Sequence, residues 1–225
     1  MKAKKRLPPR APADSETTRQ ITREYNNQKA NLQLLLDKTE KLLNETYNHK
    51  KYYKHSIQTR LKQEQKILQK IQIKGYKKLN NITDIAGLRI ITYYADAIDR
   101  IAKTLRKEFI IDEKSSIDYR NMNPHEFGYS ALHYICKYKA DRTRLSEYKS
   151  FKNIRFEIQI TTVLMHAWAE LEHDLYDAKE LFSDDMKRKY SRIAAILEVA
   201  DTELVNLKKQ KIDIIKSHEL RQVNT

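Results

Sequence analysis

At 225 residues, 40% of them hydrophobic, the chain holds enough apolar material for one core of moderate size, and its 3 Gly and 4 Pro exclude a loop-rich or collagen-like protein. Its 44 Lys and Arg against 30 Asp and Glu give a formal charge of +14, which favours a polyanionic partner such as nucleotide phosphates, RNA, DNA or an anionic surface, although a solvated, lysine-heavy helical surface has the same composition. No apolar stretch approaches the roughly 20 residues that span a bilayer, and the basic start is not followed by the apolar run of a signal peptide. The single cysteine, Cys136, rules out an internal disulfide framework, so the expected compartment is the reducing cytoplasm.

Residues 1–14 combine Pro8, Pro9 and Pro12 with five cations and read as a disordered basic arm. The pattern predicts a helix from Ser15 to Tyr47, with Leu32, Leu34, Leu35, Leu36, Leu42 and Leu43 giving it an apolar face, and a second helix from Tyr52 to Ile73. Near Gly75 the pattern changes. Leu88 to Tyr94 is rich in β-branched and aromatic residues and predicts a buried strand, followed by a helix over Ala95–Lys107 and a short strand at Phe109–Ile111. Ala131–Lys139 and Ile154–Ile160 read as two further strands. Helical periodicity returns from Thr162 to Leu175 and again from Ser183 to Ser217. The order predicts an α+β (mixed α/β) fold with a sheet of about five strands and helices at both ends. The apolar stripe through Ile193, Ile196, Val199, Leu204, Leu207 and Ile214 either packs back on the sheet or meets a partner chain.

Three groups of residues carry chemistry. The first is basic: Arg60, Lys62, Lys66 and Lys70, with the three lysines at four-residue spacing on one face of the expected helix. Such a row of ammonium groups either surrounds a polyphosphate or forms a solvated face. The second is acidic. Asp84 precedes a strand, and Glu157 lies inside an otherwise apolar one, sharing a face with Gln159 while Phe156, Ile158 and Ile160 share the other. Two carboxylates converging from separate strand ends suit a Mg²⁺ that bridges nucleotide phosphates, and a Glu facing water from an edge strand is the alternative. The third is Phe127-Gly-Tyr-Ser-Ala-Leu-His133, where Tyr129, Ala131 and His133 share a face if the strand starts at Tyr129. Tyr129 then either stacks on a base or packs in the core. Cys136 reads as a buried structural thiol.

The order and wording of four segments resemble the synthetase domain of the RelA/SpoT family: Asp84-Ile-Ala-Gly-Leu-Arg89; Gly128-Tyr129 with Leu132-His133; Glu157-Ile-Gln-Ile160; and Trp168-Ala with Leu171-Glu172-His173. The resemblance covers Thr59 to Tyr176 and implies a sheet related to polymerase-β-like nucleotidyltransferases. It implies a pyrophosphokinase that moves the β,γ-pyrophosphate of ATP to a ribose 3′-hydroxyl, in a small single-domain member without the hydrolase unit. On this basis residues 15–180 form the synthetase domain and 181–225 a C-terminal helical extension. Arg60 and Arg89 sandwich the adenine; Lys62, Lys70 and, less typically of the family, Lys66 hold the phosphates, with His173 nearby. Asp84 and Glu157 hold Mg²⁺, Glu157 also helps to deprotonate the acceptor, Tyr129 stacks on the acceptor base, and His133, Gln159 and Glu172 line the site.

Members that make guanosine alarmones commonly carry an amide and two cations at the positions of Phe127, Ser130 and Thr161. Loss of those cations weakens a pocket for a free 5′-diphosphate, while the whole chain is strongly basic. The first expectation for the acceptor is therefore the 3′ CCA end of tRNA, as in the toxic relatives that pair with an antitoxin, with the basic arm and Lys50, Lys51 and Lys54 as RNA contacts. GDP or GTP is the alternative acceptor. A non-catalytic RNA- or partner-binding module is a third reading, opposed by the Asp84/Glu157 pair.

Overall fold

The computed structural model of the protein describes residues 15–48, 55–121, 128–176 and 182–223. The basic arm, Lys50, Lys51, Lys54 and Phe127 lie outside them. Helix α1 (Ser15–Asn48) buries Ile21, Tyr25, Leu32, Leu35, Leu36, Thr39, Leu43 and Tyr47. These recur every three or four residues, so a helix about 50 Å long presents one continuous stripe to the sheet. Strand β1 (His55–Leu61) follows, then α2 (Glu64–Lys74), which Gly75 closes in the left-handed conformation at φ 61°, its N–H donating to the Ile71 carbonyl at 2.8 Å.

The remaining elements are β2 (Ala86–Thr92), α3 (Asp96–Glu108), β3 (Phe109–Ile111), β4 (Ile117–Asp118), β5 (Leu132–Tyr138), α4 (Ala140–Arg144), β6 (Phe156–Thr162), α5 (Val163–Tyr176) and α6 (Asp184–Val223). The sheet order is β1-β2-β6-β5-β3, with β4 also on β5. β2 and β6 run parallel at its centre and every other pair is antiparallel. This is the expected mixed sheet flanked by helices, with six strands where about five are expected; β1 and the two-residue β4 are the strands that the sequence pattern did not name.

One expectation fails. The sequence pattern reads 52–73 as helix, but His55–Leu61 is a strand paired along its whole length with β2. Ile57, Thr59 and Leu61 alternate with the more polar Ser56, Gln58 and Arg60, a period of two that the lysine spacing downstream obscures. Lys62 therefore precedes α2, and the three lysines do not share one helical face.

The apolar side of the sheet is a single core. Leu88, Ile90, Phe156, Ile158, Ile160, Leu132, Tyr134 and Cys136 meet the buried faces of α1, α2 and α3. Tyr138 closes one end, ringed by Phe109, Tyr148, Phe151 and Phe156, with its hydroxyl 2.6 Å from Thr39 Oγ1. A smaller second core joins α5 to α6 through Met165, Trp168 and Ala194, with Tyr190 and Leu197 against them. Among the described residues no helix is long and apolar enough to cross a membrane.

Candidate active site

Alternation along four paired strands builds the polar face. Arg60, Gly87 and Glu157 form one row across β1, β2 and β6, and Gln58, Arg89, Gln159 and His133 form the next, extending to β5. Gly87 leaves the floor between Arg60 and Glu157 without a side chain. The rows line a cleft of about 380 Å³ whose walls include Gln58, Arg60, Lys62, Asp84, Arg89 and Glu170. Three separate sequence segments thus meet because β2 and β6 are parallel neighbours.

At one end Asp84 Oδ2 accepts from Lys62 Nζ at 2.5 Å and from Lys70 Nζ at 2.6 Å. Burial pushes the Asp84 carboxyl up, but the two ammonium groups outweigh it and hold it below the usual range. Burial also pulls the Lys62 ammonium down, opposed by Asp84 and abetted by the Lys70 and Arg60 charges. Asp84 Oδ1 is buried and has no hydrogen-bond partner.

At the centre His133 Nδ1 lies 2.9 Å from Glu157 Oε1, and Gln159 Nε2 donates to Glu157 Oε2 at 2.9 Å. Burial raises the Glu157 carboxyl, and the bonds from His133 and Gln159 more than offset it, leaving the group below its ordinary value. His133 Nε2 is 3.0 Å from the Tyr129 hydroxyl. In the neutral tautomer with the proton on Nδ1, that N–H donates to the carboxylate, Nε2 accepts, and the Tyr129 O–H is the donor. Burial pushes the Tyr129 hydroxyl up to about 12, so it stays protonated.

Arg89 forms the opposite wall. Its Nε donates to Gln159 Oε1 at 3.0 Å, and one terminal nitrogen meets His166 Nδ1 at 2.9 Å and Glu170 Oε1 at 2.6 Å. Arg60 is exposed on the cleft wall.

Most of the expected residues converge: Arg60, Lys62, Lys70, Asp84, Arg89, Tyr129, His133, Glu157 and Gln159 surround one cleft or its rim. Lys66 does not; it is exposed on α2, and neither Asp84 nor the cleft wall includes it. The reason is the break between β1 and α2, which removes the shared face on which its grouping rested. His173 lies in α5, with its side chain outside the described residues. Cys136 is buried, with its thiol pushed well up by that burial, and so is a structural residue.

Three contributors were not foreseen. His166 and Glu170 hold Arg89, and their four-residue spacing on α5 was the available signal. Tyr119 packs edge-on against His133, ring centroids 4.9 Å apart, and against Tyr129 at 5.7 Å. Burial and then the Glu157 charge raise its hydroxyl. Nothing local in the sequence separates Tyr119 from the chain's other tyrosines.

Asp84 and Glu157 are the two carboxylates of the cleft's interior that could hold a metal. Among the described residues no group of three or more His, Cys, Asp or Glu side chains forms a metal cage. The unpartnered Asp84 Oδ1 and an ionised Glu157 fit an ion that takes its other ligands from water and phosphate oxygens, the habit of Mg²⁺.

The model of the region found in RelA/SpoT proteins matches residues 59–180, more than half of the chain. The chain belongs to the RelA/SpoT family. It is accordingly an enzyme of the pyrophosphokinase type that this family's synthetase domains represent. GTP pyrophosphokinase YwaC of Bacillus subtilis (strain 168) is 29% identical over 162 residues, 68% of this chain and 72% of that protein. GTP pyrophosphokinase YjbM of the same organism is 28% identical over 155 residues, 66% of this chain and 69% of that protein. Small alarmone synthetase 2 from Bacillus subtilis superposes with a TM-score of 0.67 at 26% identity, covering 83% of this chain and 99% of that one. Small alarmone synthetase 1 bound to its product pppGpp shares the fold at a TM-score of 0.70 and 23% identity, over 85% of this chain and 99% of that one.

Proposed function

We propose that this RelA/SpoT-family chain transfers the β,γ-pyrophosphate of ATP to the 3′-hydroxyl of GDP or GTP, making a guanosine alarmone. The observation that carries this reading is the cleft in which Asp84 and Glu157 face each other from β2's approach and β6, flanked by cations on one side and the Tyr129–His133 pair on the other. The acceptor is supported by the likeness to two GTP pyrophosphokinases over about two thirds of the chain.

In this reading Arg60 and Arg89, on neighbouring strands, bracket the adenine, and Lys62 and Lys70 turn from Asp84 to the phosphates. Asp84 and Glu157 hold Mg²⁺, which when bound neutralises charge on the transferred group. Tyr129 and Tyr119 offer aromatic faces to the acceptor base. The acceptor 3′-oxygen bonds to the β-phosphorus as the bond between that phosphorus and the oxygen shared with the α-phosphate breaks, and AMP leaves. The proton of the 3′-hydroxyl passes to Glu157, kept ionised beforehand by His133 and Gln159. Positioning and charge neutralisation supply the rate enhancement, with no covalent enzyme intermediate.

The tRNA end, the first expectation from Phe127, Ser130 and Thr161, has less support. Thr161 is fully buried and its hydroxyl donates to the Ser130 carbonyl at 3.3 Å, so these two positions brace one another. Incubation with γ-³²P-ATP and either GDP, GTP or deacylated tRNA tests the reading. Label on the guanosine nucleotides is the expected result, and label on tRNA alone overturns it together with the view of the toxin–antitoxin role as secondary. A chain whose biological effect survived Glu157→Ala would be acting instead as a binding module.

A further inference from the structure

We propose that α6, which lies beyond the family-matched region, is a strap that positions the donor side of the active site, and that Asp201 is the positioning residue through which it acts. α6 is anchored at the carboxyl ends of both central strands, where Thr92 and Thr162 pair across the β2–β6 junction. At β6, Asp201 Oδ2 accepts from Thr162 Oγ1 at 2.6 Å, and the same Oγ1 accepts from the Met165 backbone N–H at 3.1 Å. Thr162 thus caps α5, and Asp201 fixes the cap. Just past β2, Lys208 Nζ bonds both carboxylate oxygens of Asp96, the first residue of α3, at 2.9 Å and sits 4.7 Å from the ring centre of Tyr94, two residues past the strand's end.

The line from Asp201 to the nucleotide is short. The capped helix α5 carries His166 and Glu170, and these hold Arg89, the proposed adenine contact. Asp201 is only 6% exposed, and its second oxygen, Oδ1, has no hydrogen-bond partner. A buried carboxylate that only filled space would be improved upon by an apolar side chain. At the start of α5, by contrast, its charge complements the positive end of the helix and orients the hydroxyl that caps it. Burial raises the Asp201 carboxyl, the Thr162 bond opposing, as expected of a group kept there at a cost.

The inference rests on ATP being the donor, so the test takes two readouts on the full chain. The first is affinity for α,β-methylene-ATP and, separately, for GDP, by calorimetry. The second is hydrogen exchange of the α5 amides, which does not depend on any ligand. For Asp201→Ala the expectation is an ATP-analogue affinity weakened about tenfold, GDP affinity within about twofold, and faster exchange across α5 with β5 unaffected. Asp201→Asn, which still accepts from Thr162, recovers most of the loss. Lys208→Met loosens the other anchor and weakens the same ligand, which keeps the idea testable if Asp201→Ala does not fold. Equal losses for both ligands, or unchanged α5 exchange, overturn the strap. Failure of the unaltered protein to bind the analogue counts against the donor assignment, and α5 exchange then decides the strap alone.

Discussion

His133 Nδ1 stands 2.9 Å from Glu157 Oε1 while its other ring nitrogen meets the Tyr129 hydroxyl, so one imidazole of β5 orders both the carboxylate of β6 and the tyrosine of the preceding loop. In the tautomer that carries the proton on Nδ1, Tyr129 donates to His133 and His133 donates to Glu157. Replacing His133 by Ala removes one of the two bonds that hold the Glu157 carboxyl low, and burial then raises it. The acid limb of the kcat/KM–pH profile should move to higher pH in His133→Ala, and a profile that kept its acid limb would separate His133 from the ionisation of Glu157.

The same bonds link Glu157 to stability. Its folded-state value lies below the ordinary 4.5, so its contribution is complete above that value and is lost as the pH falls below it towards the folded-state value. Glu157→Gln, which cannot ionise, should flatten the decline of Tm across that acid window. Thermal melts of both proteins from neutral pH downward would show whether the two curves converge in acid.

Loss of either carboxylate proposed to hold the metal should be severe. Asp84→Ala and Glu157→Ala are each expected to lower kcat about a hundredfold or more, and EDTA should abolish turnover of the unaltered protein until Mg²⁺ is restored. Asp84→Ala also releases Lys62 and Lys70, so its affinity for the ATP analogue measured without metal should not fall in step with kcat. A parallel loss of both would contradict the assigned role.

In the proposed reading the Tyr129 ring meets the acceptor base, while its hydroxyl bonds His133. Tyr129→Phe keeps the face for the acceptor base and removes the bond to His133, so acceptor KM should change about twofold or less, whereas Tyr129→Ala should raise it about tenfold. Steady-state kinetics with GDP varied at saturating ATP distinguishes them. Equal effects of the two substitutions would show that the hydroxyl, not the ring, carries the contact.

Ile158 is wholly buried on the apolar side of β6, opposite the site face. Ile158→Ala should cost about 2–5 kcal/mol of folding stability. Denaturant unfolding measures it, and a loss well under 1 kcal/mol would mean that the core collapses around the gap.

Much of this was legible in the residues. The alternation of Phe156, Ile158 and Ile160 with Glu157 and Gln159 announced both the strand and which side faces the chemistry. The apolar stripes of α1 and α6 announced long helices. β1 was not legible, because Ser56–Leu61 leads directly into a lysine-spaced helix and owes its extended form to pairing with β2. Lys66 was grouped wrongly for that reason. The four-residue spacing of His166 and Glu170 does not by itself name Arg89 as their partner, and the packing of Tyr119 on His133 arises from tertiary placement that no local pattern encodes.

The parallel pairing of β2 with β6 has a consequence for how the molecule acquires its activity. Arg89 and Gln159, partners across that junction, are 70 residues apart in the chain, and everything from α3 to α4 must be laid down between them. Closing so distant a contact is slow compared with forming the helices or the β1–β2 pair. A nascent chain that has emerged only as far as β5 holds Asp84 and its lysines but not Glu157, so it carries one of the two carboxylates proposed to hold the metal. The cleft is therefore complete only once β6 has joined β2.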